Sequence, residues 1–303
     1  MKVLVTGVGG QLGHDVMNEL HKRGHEGVGS GIAPQYSGAQ DGSAVTTMPY
    51  IQLDITDAAA VSRVLREVKP DAVVHCAAWT AVDAAEEDEA ACRQVNEQGT
   101  AHVAAACRKL GAVMIYISSD YVFSGRGERP WRPEDPCEPL SVYGRSKLAG
   151  EEAVRRELDR YFIVRTSWLY GKNGSNFVKT MLRLGQSGRD VRVVFDQVGA
   201  PTYTEDLARL LCDMAGSRRY GTYHGANSGC CSWYELAAEI YRREGFSGRV
   251  IPIASEEYPA RALRPRNSRL DMSCLPENGF APLPPWQEAL GRFLKEWNRK
   301  EYG

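Results

Sequence analysis

Tyr143 and Lys147, four residues apart in Ser141-Val142-Tyr143-Gly144-Arg145-Ser146-Lys147, share one face if that segment is helical. A free phenol gives up its proton only near pH ~10, so it is a poor proton shuttle at neutral pH unless a nearby cation favours the phenolate. Lys147, one turn beyond Tyr143, can be that cation. The pair could then hand a proton to a carbonyl oxygen that is being reduced. A hydroxyl on the other side of that oxygen would help, and Ser119, just after the apolar run Val113 to Ile117, is the candidate. Both signals have plain alternatives: a tyrosine and a lysine on a surface helix, and a turn-forming serine. The elements that would hold a reactant in front of the pair decide between them.

The chain opens with such an element. Lys2 to Thr6 is a short β-branched run that ends at Gly7-Val8-Gly9-Gly10-Gln11-Leu12-Gly13, after which Leu12, Val16 and Leu20 recur at helical spacing. In this strand, turn and helix, Gly7 and Gly10 let the backbone approach a pyrophosphate. The amides around Gln11 and Leu12 open the helix toward the anion, and Gly13 allows close helix packing. The second strand, about Glu26 to Ser30, should end on the group that meets the adenosine ribose. An acidic residue there would favour NADH, but this chain has Ser30. No Lys or Arg lies between His25 and Tyr50 to hold the extra phosphate of NADPH, so either cofactor, NADH or NADPH, fits the pattern. The Gly-, Ser-, Thr- and Ala-rich segment from Gly31 to Pro49 reads as a mobile insertion.

Further βα units follow. Ile51 to Asp57 is a strand leading into a helix, with Thr56 or Asp57 as N-cap. Asp54, followed by Ile55, is placed to accept from an adenine amino group or to act as a second cap. The strand Ala72 to Cys76 leads to Ala77-Ala78-Trp79, whose small residues leave room for a cofactor at a strand's C-terminal end. The acidic stretch Asp83 to Glu89 should start one long helix through Val95, Val103 and Cys107. Asn96 within it either bonds a neighbouring strand or faces solvent. After a Pro-rich loop come the Tyr143 helix and the strand Phe162 to Arg165, and from Thr166 the rhythm is less regular. The expected architecture is α/β: a Rossmann-type doubly wound parallel sheet over residues 1–166, with a smaller, interleaved substrate-binding lobe over 167–303. The region around 190–225 is free to return to the first domain.

The 37 basic and 38 acidic residues, a net charge of -1, argue against a nucleic-acid partner. Eight cysteines are scattered, with no CxxC pair and no zinc spacing, as expected of reduced thiols in the cytoplasm. The apolar start is too short for a signal peptide, and no run approaches the ~18 apolar residues of a membrane span.

The ordered set TGVGGQLG, LDITD, CAAWTAVDAAE, ISSDYVFSG, YGRSK, RTSWLYG, DQVGAPT and RPRNSRLD resembles the extended short-chain dehydrogenase/reductases, and among them the dTDP-4-dehydrorhamnose reductase family. The resemblance implies reduction of the 4-keto group of dTDP-4-dehydro-L-rhamnose to dTDP-L-rhamnose, with a nucleotide-sugar substrate and NADPH or NADH. It implies that Tyr143 donates the proton, that Lys147 tunes it and holds the nicotinamide ribose, and that Ser119 polarises the carbonyl where the family usually has threonine. It further implies substrate contacts from Asp120 and Trp168, although Trp168 could equally pack in the core. It leaves room for a homodimer. Some relatives hold a divalent metal at a dimer contact, but without a suitable carboxylate cluster no metal is expected here. Two alternatives remain: another nucleotide-sugar 4-ketoreductase or epimerase, and a dinucleotide-binding regulatory subunit like that of methionine adenosyltransferase.

Overall fold

The alternation of buried residues in the first strand explains how the layers stack. In β1 (Lys2–Thr6), Val3 and Val5 face one apolar layer and Leu4 the other, as a strand's two-residue period requires. One layer is closed by α1 (Gln11–Lys22) through Leu12, Val16 and Leu20. The structure is a computed structural model that describes the main chain of residues 1–301 and the side chains of residues 1–297.

In chain order, β2 (Glu26–Gly31), β3 (Tyr50–Gln52), α2 (Ala58–Val68) and β4 (Ala72–His75) follow α1. The acidic stretch is split: α3 (Val82–Ala85) is a separate turn, and the long helix starts only at Glu89, running without a break through α4 (Glu89–Arg93), a π-helical stretch, Gln94–Gly99, and α5 (Thr100–Leu110). Then come β5 (Val113–Ser119), α6 (Val142–Glu157) and β6 (Tyr161–Thr166). Beyond them lie β7 (Leu169–Tyr170), α7 (Phe177–Gln186), β8 (Val191–Val194), β9 (Val198–Gly199), β10 (Thr202–Tyr203), α8 (Thr204–Ala215) and β11 (Gly221–His224). The chain finishes through β12 (Cys231–Ser232), α9 (Trp233–Glu244), β13 (Val250–Ile253), β14 (Asn267–Ser268), α10 (Cys274–Glu277) and α11 (Trp286–Glu301).

Seven parallel strands form the large sheet in the order β11-β6-β5-β4-β1-β2-β3. Strand order reverses between β1 and β4, and a doubly wound sheet opens its ligand crevice at that reversal. The helix α8 packs on α1 and β11 completes the large sheet, whereas β8 pairs with β13 outside it. The smaller lobe has its own core of Tyr170, Val178, Leu182, Leu236, Ile240, Leu290 and Phe293. Residues 302 and 303 of that expected lobe lie outside the described residues. Among the described residues no helix is long and apolar enough to cross a membrane, and all eight cysteines are free.

The segment Gly31 to Pro49 departs from the expectation of a mobile insertion. It carries a short 3-10 helix, Ala44–Thr46, and hydrogen bonds tie it to the body, among them three to residues distant in the chain. The Tyr36 hydroxyl bonds His14 Nδ1 (2.6 Å), Val45 N donates to Asn18 Oδ1 (2.9 Å), and Ala39 N donates to Asn173 Oδ1 (3.0 Å). Each partner lies elsewhere in the chain, so local composition gave no sign of them.

Candidate active site

A crevice of about 1160 Å³ opens at the strand-order reversal, between the large sheet and the smaller lobe. At one end lies the glycine turn. Gly7 holds φ +72, and a Cβ there would come within 2.7 Å of Ala77 N, so the β1 and β4 ends can approach only with glycine at this place. The Thr6 hydroxyl, bonded to His75 Nδ1 (2.8 Å), accepts from Ala77 N (3.1 Å) and fixes the start of Ala77-Ala78-Trp79. Gly10, the N-cap of α1, has no side chain with which to cap it, which leaves the first-turn N–H groups near Gln11, Leu12 and Gly13 available to an anion in the crevice. Asp54, Ile55, Ala77, Ala78 and Trp79 line the next stretch of wall. Asp54 Oδ1 already accepts from Thr56 N (2.9 Å) and its hydroxyl (2.8 Å), while Asp57 caps α2.

Ser30 does not lie where the strand pattern put it. Its side chain is fully buried and its hydroxyl donates to Val5 O (3.3 Å). Its carbonyl instead accepts from Gly7 N (2.8 Å) and Val8 N (3.2 Å), which braces the glycine turn from beneath. The wall past β2 is made by Gly31, Ile32, Ala33 and Ser37, with Ile32 75% exposed. Among the described residues, Lys147 is the one cation that lines the crevice, on the same helix as Tyr143.

The floor is α6. Its start is held twice: the Ser141 hydroxyl accepts from Gly144 N (3.1 Å), and the Glu86 carboxylate accepts from Val142 N (2.8 Å). Gly144 lets α6 lie against the Tyr121 backbone, since a Cβ there would come within 2.3 Å of Tyr121 O. Asn96 is also part of this scaffold: its amide donates to Ser146 Oγ (2.9 Å) and Trp79 O (3.0 Å) and accepts from Trp79 N (2.8 Å). Tyr143, Lys147 and Glu151 follow one another along the same face, one turn apart.

Burial pushes the Tyr143 phenol up from its ordinary value, while a hydrogen bond with Ser119 acts the other way. Ser119 Oγ donates to Asp120 Oδ1 (2.9 Å) and accepts from Tyr121 N (3.2 Å). Burial also raises the Asp120 carboxyl to about 6, against the Ser268 and Ser119 hydroxyls. Lys147 is 2% exposed and sits over the Tyr116 ring at 4.2 Å. Desolvation brings its ammonium down to about 7 despite the nearby Glu151 carboxylate. Glu151 behaves in the opposite way. Burial works to raise it, but Arg165, Ser118 and Arg155 hold it below the usual carboxylate range.

The far wall carries Trp168, which has a positive φ of 50, an uncommon backbone for a bulky residue. Its indole stacks on Trp233 at 3.7 Å, and both rings line the crevice. The crevice thus gathers the glycine turn, Asp54, Ile55, Ala77 to Trp79, Ser119, Asp120, Tyr143, Lys147 and Trp168, and leaves Ser30 behind it.

The sequence profile of the family described as the RmlD substrate binding domain matches residues 1–299. A dTDP-4-dehydrorhamnose reductase of Streptomyces griseus is 44% identical over 95% of this chain and 91% of its own length. The chain belongs to the dTDP-4-dehydrorhamnose reductase family. Within and around that family, the chain is also similar to the spore coat polysaccharide biosynthesis protein SpsK of Bacillus subtilis, at 39% identity over 97% of each chain. A crystal structure of dTDP-4-dehydrorhamnose reductase from Bacillus anthracis in complex with NADP superposes with a TM-score of 0.88, at 38% identity, covering 97% of this chain and 99% of that one.

Sequence reasoning passed over Glu151, Arg165 and Glu86. Glu151 continues the four-residue spacing of Tyr143 and Lys147, and Arg165 is a lone charge in the apolar strand Tyr161–Thr166, so each carried a signal. Glu86 carried none, because the helix it caps begins far along the chain.

Proposed function

We propose that this chain reduces the 4-keto group of dTDP-4-dehydro-L-rhamnose to give dTDP-L-rhamnose, with NADH or NADPH as reductant. The observation that carries this reading is that Tyr143, Lys147 and Ser119 line one crevice together with the glycine turn at the start of α1. The residues present fit a dinucleotide: glycines where the backbone must approach, helix N–H groups for a pyrophosphate, and small side chains at Ala77 and Ala78. When bound, the reduced nicotinamide supplies the hydride.

The chain's own part is to hold the ketone and deliver a proton. The Tyr143 phenol, kept protonated by burial, gives its proton to the oxygen on which charge develops. Ser119 turns its hydroxyl from Asp120 to the same oxygen and stabilises the charge with a second hydrogen bond. Lys147, balanced near neutrality by burial, gains its full charge when ribose hydroxyls accept from it, and a cation at that spot favours the phenolate left on Tyr143. Trp168 offers an aromatic face to the apolar side of a deoxysugar.

The eight free thiols agree with a cytoplasmic setting. The test is to follow reduced-nicotinamide absorbance with dTDP-4-dehydro-L-rhamnose and each cofactor, then identify the sugar formed. Consumption of one cofactor per product is expected. A tightly held dinucleotide that interconverts sugars without net consumption would overturn the reading in favour of an epimerase.

A further inference from the structure

We propose that Asn173 is a positioning residue for the dinucleotide, clasping the glycine turn to the smaller lobe and to the 31–49 segment. This rests on the function proposed above. Asn173 is 4% exposed. Its amide donates to Gly9 O (2.9 Å) and Gly10 O (3.1 Å), and its Oδ1 accepts from Ala39 N (3.0 Å). One side chain thereby joins three segments that are distant in sequence.

The effect on a ligand follows from peptide geometry. In a planar trans peptide the C=O of one residue and the N–H of the next point in opposite directions. Fixing the Gly10 carbonyl therefore fixes the Gln11 N–H, the first donor of an α1 terminus that no side chain caps. The Gly9 carbonyl fixes the Gly10 N–H in the same way, and that group closes the turn on Gly7 O (3.0 Å). Asn173 lies outside the crevice lining, and it sets the direction in which the turn presents its amides.

The clasp also reaches the substrate side. Three residues on, Asn176 caps α7 by accepting from Lys179 N (2.9 Å), and its amide donates to Gln11 Oε1 (2.8 Å). Phe177, the first residue of α7, packs on Trp233 (4.6 Å between ring centres), which stacks on Trp168. From the glycine turn to the sugar-facing wall the connection is continuous.

The experiment measures dissociation constants of NADH and NADPH by nucleotide fluorescence for wild type, Asn173→Ala and Asn173→Asp, with melting temperatures alongside. Loss of the donor should weaken binding about 10-fold in Asn173→Ala. Asn173→Asp retains the acceptor for Ala39 but presents no N–H to the glycines and adds a negative charge behind the pyrophosphate site. It should weaken binding about 100-fold, and the loss should shrink as salt is raised. KM for the dinucleotide should rise with Kd, while kcat at saturation falls by less than about threefold. Should Asn173→Ala fail to fold, Asn173→Asp makes the comparison alone, because it keeps the tie to Ala39. Both variants binding within twofold of wild type, whatever their melting temperatures, would overturn the clasp. A wild type that binds neither dinucleotide would instead sink the functional reading, so the two failures are distinct.

Discussion

Lys147 and Glu151 lie one turn apart on the same face of α6, both buried, and their surroundings treat them in opposite ways. Glu151 is met by the Arg165 guanidinium at 2.8 and 2.7 Å and by the Ser118 hydroxyl at 2.6 Å, so its charge is secured by the protein itself. Lys147 faces an aromatic ring, and its ammonium is driven down to about 7. Glu151 has its charge partners once the chain folds, whereas Lys147 is buried against an aromatic ring. Partners hold Glu151 below the usual carboxylate range, whereas burial brings Lys147 down with only the Glu151 and cysteine charges acting against it.

The largest effect should come from breaking the deep pair. Arg165→Met leaves Glu151 buried without its main partner and should destabilise the fold by about 3–5 kcal/mol, measured by urea unfolding. Adding Glu151→Gln should recover part of that loss. If Arg165→Met is as stable as wild type, the pair does not secure the floor.

Next comes the phenol. Tyr143→Phe should lower turnover by a factor of about 100 or more while leaving dinucleotide affinity nearly intact. Wild-type turnover in this variant would remove Tyr143 from the chemistry.

Lys147→Met should abolish most activity and yet stabilise the cofactor-free protein. The folded value, about 7, lies below the ordinary lysine value of 10.5, so between them the unfolded chain binds more protons and stability rises with pH. Below pH 7 both states are charged and the burial penalty is fully present; above about 10.5 it is gone. The gain in melting temperature over wild type should therefore be a few degrees at pH 6, on the order of 2–4 °C, and shrink toward zero by pH 10. A gain that is flat or grows with pH would show that Lys147 is partnered like Glu151.

The smallest effect is expected from Ser119→Thr. It keeps the hydroxyl and adds a methyl that restrains its rotamer, so kcat should change by less than about threefold. A loss of 10-fold or more would mean that the Ser119 to Asp120 hydrogen bond tolerates no crowding.

Much of this arrangement was legible in the chain. The glycine turn, the Tyr143 and Lys147 spacing and the small residues after β4 are local patterns, and each lands on the crevice. What was missed is nonlocal. The side chain of Ser30, between two glycines, gave no clue to the face it would take, and it turned inward onto Val5. The 31–49 segment looked loose because its anchors, His14, Asn18 and Asn173, lie outside it. The long helix expected from Asp83 starts later, at Glu89, and Asp83 and Glu86 ahead of it serve other segments, Asp83 pairing with Arg264 (2.6 Å) and Glu86 capping α6.

Trp168 carries one last consequence. Its left-handed main chain, with Gly199 so close beneath that a Cβ there would come within 2.7 Å of the indole, fixes that ring through the path of the polypeptide rather than through a choice of rotamer. Nearby point substitutions cannot nudge it by degrees. Thr80 and Val82, which also line the crevice, are ordinary side chains that can be exchanged without rerouting the chain.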